Sequence, residues 1–124
     1  MTRESREAIV TRISADIDVV TLINVFTVDP ENQRKLVDLL NAATDEVMKQ
    51  VPGFVSANIH RSLDGRHVAN YAQWRSETDF TAMLSNPAAR EHMAAVSSIA
   101  GAEPVLYELV STHFEPTSSL PSRP

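Results

Sequence analysis

Three observations predict an α+β fold, an antiparallel sheet with helices on one face, in the order β-α-β-β-α-β. A β-branched and aromatic run, Val19-Val20-Thr21-Leu22-Ile23-Asn24-Val25-Phe26-Thr27, ends at an Asp29-Pro30 pair. An Asp64-Gly65 pair separates two alternating runs. Asn86-Pro87 then opens a helical pattern that precedes a last apolar run, Val105 to Val110. The 124 residues suffice for one domain with a real core and leave little room for a second.

Each element has a local reason. The first run, from Asp18 to Val28, has the β-branched content of a buried strand. At Asp29-Pro30 an acidic cap precedes a proline at the first helical position, so a helix starts there. Leu36, Leu39, Leu40, Ala43 and Val47 recur at spacings of three and four and form its apolar stripe. Pro52-Gly53 stops it. Strands over 54–61 and 67–75 flank the Asp-Gly turn, a strong hairpin signal because both central residues of the favoured tight turn need positive φ. With Asp64 and Gly65 central, Leu63 faces Arg66, Arg61 faces Val68, and Ile59 faces Asn70. Ser76-Glu77-Thr78-Asp79 resembles a capping box and opens a short helix that buries Phe80, Met83 and Leu84. The helix begun at Asn86-Pro87 carries Ala89, His92, Met93 and Val96 on one stripe. Gly101 to Pro104 closes it, and the last strand extends to about Phe114. Residues 1–16 read as an N-terminal arm, 17–114 as the domain, and 115–124, rich in proline and serine, as a disordered tail. The order is that of the ferredoxin-like split βαβ pattern.

Composition excludes several functions. A net charge of −5 and the absence of any Lys/Arg run argue against nucleic acid. No cysteine is present, so thiolate catalysis, disulfides and cysteine-ligated metal are out. The histidines, His60, His67, His92 and His113, show no ligand spacing, and no metal is expected. Three glycines cannot supply a nucleotide-binding loop, and no serine stands in a nucleophile elbow. No apolar run is long enough to span a bilayer, and the charged start Met1-Thr2-Arg3-Glu4 has no signal-peptide core behind it. The default expectation is a cytoplasmic protein with no membrane contact.

Strand alternation assigns the faces. The hairpin's inward side carries Val55, Ala57, Ile59, Val68, Ala72 and Trp74, with Asn70 as its only amide. Its outward side carries Phe54, Ser56, Asn58, His60, His67, Ala69, Tyr71 and Gln73. No helix is left to cover that side, so a second copy packed sheet to sheet is the economical cover, and a homodimer is expected. An inward amide must find a partner or face a cavity. Trp74 is a core anchor and Asn70 a satisfied amide, or both belong to a small-molecule pocket. Asn24, a second inward amide beside Leu22 and Phe26, favours the pocket. His92 is a fourth polar member or a hydrogen-bonded core histidine. Phe26, Ile59, Phe80 and Leu84 are the expected apolar lining.

The stretches Asn24-Val25-Phe26-Thr27-Val28-Asp29, Val51-Pro52-Gly53-Phe54, and Asp64-Gly65 followed by Val68-Ala69-Asn70-Tyr71-Ala72-Gln73-Trp74 resemble the antibiotic biosynthesis monooxygenase (ABM) superfamily over residues 18–113. That resemblance implies a ferredoxin-like α+β domain paired into a dimeric α/β barrel. Within the superfamily the chain is most similar to cofactor-independent oxygenases of aromatic polyketide pathways, which convert anthrone-type phenols to quinones with O₂. It implies a small aromatic substrate, no cofactor, and Asn70 and Trp74 holding the substrate carbonyl and stabilising an oxygenated intermediate. Phe80 stands at the place of the family's pocket tyrosine. The family's arginine position falls near Ala94, with Arg90 about one turn away. If a general base exists, His92 is the choice, its ordinary pKa lying nearest neutrality. The superfamily's haem-degrading branch is the alternative, matching Asn24 and Trp74 but placing Leu84 at its haem-ligand position. A non-catalytic dimeric ligand-binding protein of the same fold is the third.

Overall fold

The computed structural model describes residues 10–116. Its strands are β1 (Val20–Val28), β2 (Phe54–Arg61), β3 (His67–Trp74) and β4 (Ala100–Tyr107), and its α-helices are α1 (Gln33–Glu46), α2 (Glu77–Met83) and α3 (Pro87–Ser97). They form one antiparallel sheet in the order β2-β3-β1-β4. This is the ferredoxin-like α+β fold, with the second helix divided in two.

The β1–β3 register fixes the centre of the sheet. Leu22 lies opposite Ala72, Asn24 opposite Asn70, and Phe26 opposite Val68. These side chains share the helix side and carry the core on either flank of the two asparagines. One apolar cluster forms around Leu22, Val51, Ala72, Trp74, Met83 and Ala89, and a second around Phe26, Val28, Leu36, Leu40, Val68 and Val96.

The helix starts divide between expectation and correction. Ser76 caps α2 by accepting from the Asp79 N–H (3.0 Å) and donating to its carboxylate (3.0 Å), and Asn86 caps α3 by accepting from the Ala89 N–H (3.1 Å). Asp29 makes no side-chain cap; Pro30–Asn32 form a single 3₁₀ turn, closed by the Asn32 N–H donating to the Asp29 carbonyl (2.8 Å), before α1 begins.

The hairpin keeps its predicted register, Ile59 opposite Asn70 and Arg61 opposite Val68, but not its predicted turn. Of the two residues expected at positive φ, only Gly65 adopts it (+81°). The Ser62 N–H donates to the His67 carbonyl (2.9 Å) and the Gly65 N–H to the Ser62 carbonyl (3.2 Å), so Leu63 to Arg66 form a four-residue loop. One extra residue per side preserves the register, and Leu63 is fully exposed instead of facing Arg66. The Asp64 carboxylate accepts from the Ser62 hydroxyl (2.6 Å) and the Arg66 N–H (3.0 Å). These bonds, the hydroxyl's foremost, hold its carboxyl below the ordinary carboxylate range. The loop therefore keeps this support at neutral pH and loses it as acid protonates Asp64.

Two more expectations are corrected. Phe54 pairs with Trp74 while Ser56 pairs with Gln73, so Val55 is an extra residue in β2. This bulge reverses the alternation at the strand's start: Phe54 turns inward against Trp74, and Val55 turns out to solvent. The last strand spans Ala100–Tyr107, not 105–114, because Gly101 and Pro104 are tolerated on an edge strand.

The outward side of the sheet is not left entirely to another chain. The Asn58 side chain donates to Thr11 Oγ1 (2.7 Å), and Gln73 Nε2 donates to the Arg12 carbonyl (2.6 Å) while its Oε1 accepts from the Ser56 hydroxyl (2.9 Å). Residues 11–12 of the arm thus bury Gln73 on the back of β3. The rest of the arm, 1–9, and the tail from 117 lie outside the described residues.

Gly53 makes the joint between β2 and α2. It has φ +88°, and a Cβ there would stand 2.3 Å from Asp79 Cβ. Gly53→Ala is expected to cost about 2–4 kcal/mol, lowering the thermal midpoint by about 10 °C. Gly101→Ala, with open space at its Cβ, is expected to leave the midpoint nearly unchanged; circular-dichroism melts of both variants check this.

Candidate active site

The two apolar clusters do not meet. Between them, under the helices, lies a cavity of about 430 Å³, within the roughly 300–1,000 Å³ of small-molecule sites. Its floor is Leu22, Asn24 and Phe26 of β1, Ala57 of β2, and Asn70, Ala72 and Trp74 of β3. Its walls are Leu40, Ala43 and Thr44 of α1, Met48, Phe80, Met83 and Leu84, and His92, Met93, Val96 and Ser97 from the last helix and its end. Ala102 and Pro104 of β4 close one side.

Seven of the eight residues singled out in the sequence line this cavity: Asn24, Phe26, Asn70, Trp74, Phe80, Leu84 and His92. Ile59 does not; it packs with the cluster around Leu36 and Val68. Leu84 is 40% exposed, on the cavity wall instead of buried under its helix. Sequence reading missed the lining roles of Thr44, Met48, Ser97, Ala102 and Pro104, and of Phe54, which it placed on the outward side. Ala43 and Met93 were already legible on their helical stripes. Met48 sits in a 3₁₀ turn, and Pro104 in a strand its own presence argues against, so neither followed a period.

The polar atoms divide into engaged and unengaged. Asn24 Oδ1 accepts from the Glu103 backbone N–H (3.1 Å), which ties its carbonyl to β4. The Thr44 hydroxyl donates to the Leu40 carbonyl (2.8 Å). His92 Nε2 lies 3.7 Å from Glu46 Oε1, the imidazole largely covered and the carboxylate mostly in solvent. Asn70 Oδ1 and Trp74 Nε1 are buried and have no hydrogen-bond partner among the described residues. Each is expected to cost about 1–3 kcal/mol unless something in the cavity satisfies it.

The indole is held in place by ring edges. Phe54 meets it at 5.7 Å between centroids and 90° between planes, and Phe80 at 5.9 Å and 73°. Phe80 cannot donate a proton, so its contribution here is shape: its edge contact holds the indole ring in place. The resulting site is mostly apolar, with an amide and an indole on one strand and an imidazole on the opposite helix. Such a site suits a small, largely apolar ligand. Among the described residues, no three His, Asp or Glu side chains are grouped to hold a metal ion, and no helix is long and apolar enough to cross a membrane.

Fold and site together define a ferredoxin-like protein with a small-molecule cavity between sheet and helices. Residues 19–95 match the antibiotic biosynthesis monooxygenase (ABM) family, and the chain belongs to that family. It is 46% identical over 97 residues to the tetracenomycin-F1 monooxygenase of Streptomyces glaucescens, covering 78% of this chain and 87% of that enzyme. The crystal structure of a monooxygenase from the gene ActVA-Orf6 of Streptomyces coelicolor, in complex with nanaomycin D, is 34% identical with a TM-score of 0.70, covering 78% of this chain and 92% of that one. SnoaB, a cofactor-independent oxygenase from Streptomyces nogalater, is 26% identical with a TM-score of 0.64, covering 80% and 100%.

Replacing Asn70 with leucine removes an unpartnered carbonyl from an apolar setting at similar volume. Asn70→Leu is expected to raise ligand-free stability by about 1–2 kcal/mol, the reverse of most core substitutions. Denaturant unfolding measures this; a loss of stability would mean that the protein itself satisfies the amide.

Proposed function

We propose that this chain is a cofactor-independent monooxygenase that oxidises a planar phenolic substrate of the anthrone type with O₂. The observation that carries the reading is the pair of unpartnered buried polar atoms, Asn70 Oδ1 and Trp74 Nε1, on two residues of β3 that line one apolar cavity, with Ala72 between them. They offer an acceptor for a substrate hydroxyl and a donor for a substrate carbonyl. The relatives support the reaction class: one is a tetracenomycin-F1 monooxygenase and another a cofactor-independent oxygenase.

The chemistry asks little covalent work of the protein. His92 takes the proton that converts the bound phenol or its keto tautomer to the anion, and Glu46, 3.7 Å away and solvent-facing, passes it outward. The anion is electron-rich enough to give one electron to O₂, the two radicals combine at the ring carbon as a peroxide anion, and a proton returned through Glu46 and His92 makes it the hydroperoxide. Loss of water across that C–O–O–H unit leaves the new carbonyl, so one oxygen atom enters the product and the other leaves as water. The Trp74 N–H donates to the oxygen on which negative charge gathers, Asn70 Oδ1 accepts from a substrate hydroxyl, and the apolar walls keep bulk water out. The haem alternative has less support. The lining includes neither Lys nor Arg to pair with haem carboxylates, and Leu84 offers no ligand atom.

We propose a homodimer as well. The β1–β4 half of the outward face lies beyond the bonds made by the arm, and Val105 and Tyr107 are each 47% exposed there. Val105→Asp with Tyr107→Asp is expected to shift the protein to a monomer in light scattering with size exclusion; an unchanged mass would remove this interface.

With an anthrone substrate and chelator-treated protein, O₂ uptake is expected to equal quinone formed. Asn70→Ala and Trp74→Phe should each lower kcat/KM by on the order of 10²-fold, and His92→Ala should lower kcat by on the order of 10²-fold. Binding of an aromatic ligand with no O₂ uptake would assign the chain to the non-catalytic class, and a Soret band on haem titration to the haem-binding one.

A further inference from the structure

Apart from Met1, the chain has three methionines, Met48, Met83 and Met93. All three line the one cavity just described, and they reach it from three different elements: a 3₁₀ turn after α1, α2, and α3. Packing does not require sulfur there, since Leu22, Leu40 and Leu84 line the same space. With no cysteine in the chain, these thioethers are its softest nucleophiles. They surround the place where, on the proposed function, a hydroperoxide is formed.

We propose that Met48, Met83 and Met93 form a modification site at which a hydroperoxide retained in the cavity is discharged by oxygen transfer to sulfur. The physiological source of that hydroperoxide rests on the monooxygenase reading; the site itself rests on the lining. A sulfur lone pair attacks the terminal peroxide oxygen and the O–O bond breaks. The thioether is oxidised by two electrons to the sulfoxide and the hydroperoxide is reduced to the alcohol, whose oxygen regains the proton. The sulfoxide is polar where the wall was apolar, so each discharge lowers the cavity's affinity for an apolar ligand. Sulfoxide reduction restores it. The wall thus limits the enzyme's own turnover when intermediate is not converted to product.

The test uses the full chain and cumene hydroperoxide, an aromatic hydroperoxide, without O₂, with peptide mass spectrometry at the three positions. Burial alone protects a methionine, so a merely structural thioether oxidises more slowly in the folded chain than in the chain unfolded in urea. The proposal requires the reverse: oxidation on the order of tenfold faster when folded, slowed by saturating 1,8-dihydroxyanthraquinone, with one cumyl alcohol per sulfoxide. Equal or slower oxidation in the folded chain would overturn it. A second arm follows anthrone turnover in air. Sulfoxide accumulating at these positions with product supports the proposal, and product formed without sulfoxide overturns it while leaving the monooxygenase reading intact. Faster oxidation in the first arm with no turnover in the second would keep the site and refute the monooxygenase.

Discussion

Two buried polar atoms without protein partners, Asn70 Oδ1 and Trp74 Nε1, set the terms for the rest of this structure. Leaving both unsatisfied costs about 2–6 kcal/mol, a large share of the 5–15 kcal/mol that holds a domain together. The fold must therefore be over-determined around them. Asn70 sits on β3, which is paired on both sides, with β1 through Asn24 and with β2 through Ile59. The Trp74 ring is fixed by two aromatic edges. The apolar clusters on either flank supply the stability and leave a hollow between them.

Two adjacent backbone irregularities connect that constraint to the helical layer. The positive φ of Gly53 and its lack of a side chain let the start of β2 pass against Asp79 in the first turn of α2. The bulge at Val55 then turns Phe54 inward, and α2 delivers Phe80 from the other side. Strict alternation would have put Val55 beside the indole and Phe54 on the outward face. The indole's orientation thus depends on a residue that touches no ligand, and shape at the site is decided by a local break in strand period.

A short segment ahead of the family match also supports the site from behind. Residues 11–12 precede the matched region and bond Asn58 and Gln73 on the back of the strands whose front forms the cavity floor. Gln73 is the neighbour of Trp74, and its amide is engaged at both ends. The arm therefore braces β3 from behind and divides the outward face into a polar, covered half and an apolar half on β1 and β4.

The sequence alone determined the element order, the hairpin register and the gathering of Asn24, Asn70, Trp74 and His92 on inward faces. Periodicity and turn chemistry are local properties, and a period of two or of 3.6 needs no knowledge of the partner surface. What local rules could not supply was decided in three dimensions. The bulge at Val55, the strand through Gly101 and Pro104, and the exclusion of Ile59 from the cavity each depend on a neighbour far along the chain. So does the difference between Asn24, whose carbonyl is tied to β4, and Asn70, whose carbonyl has no protein partner. Both asparagines occupy the same kind of position in the sequence pattern. Only the strand that lies beside each one determines whether its amide is structural or free to meet a ligand.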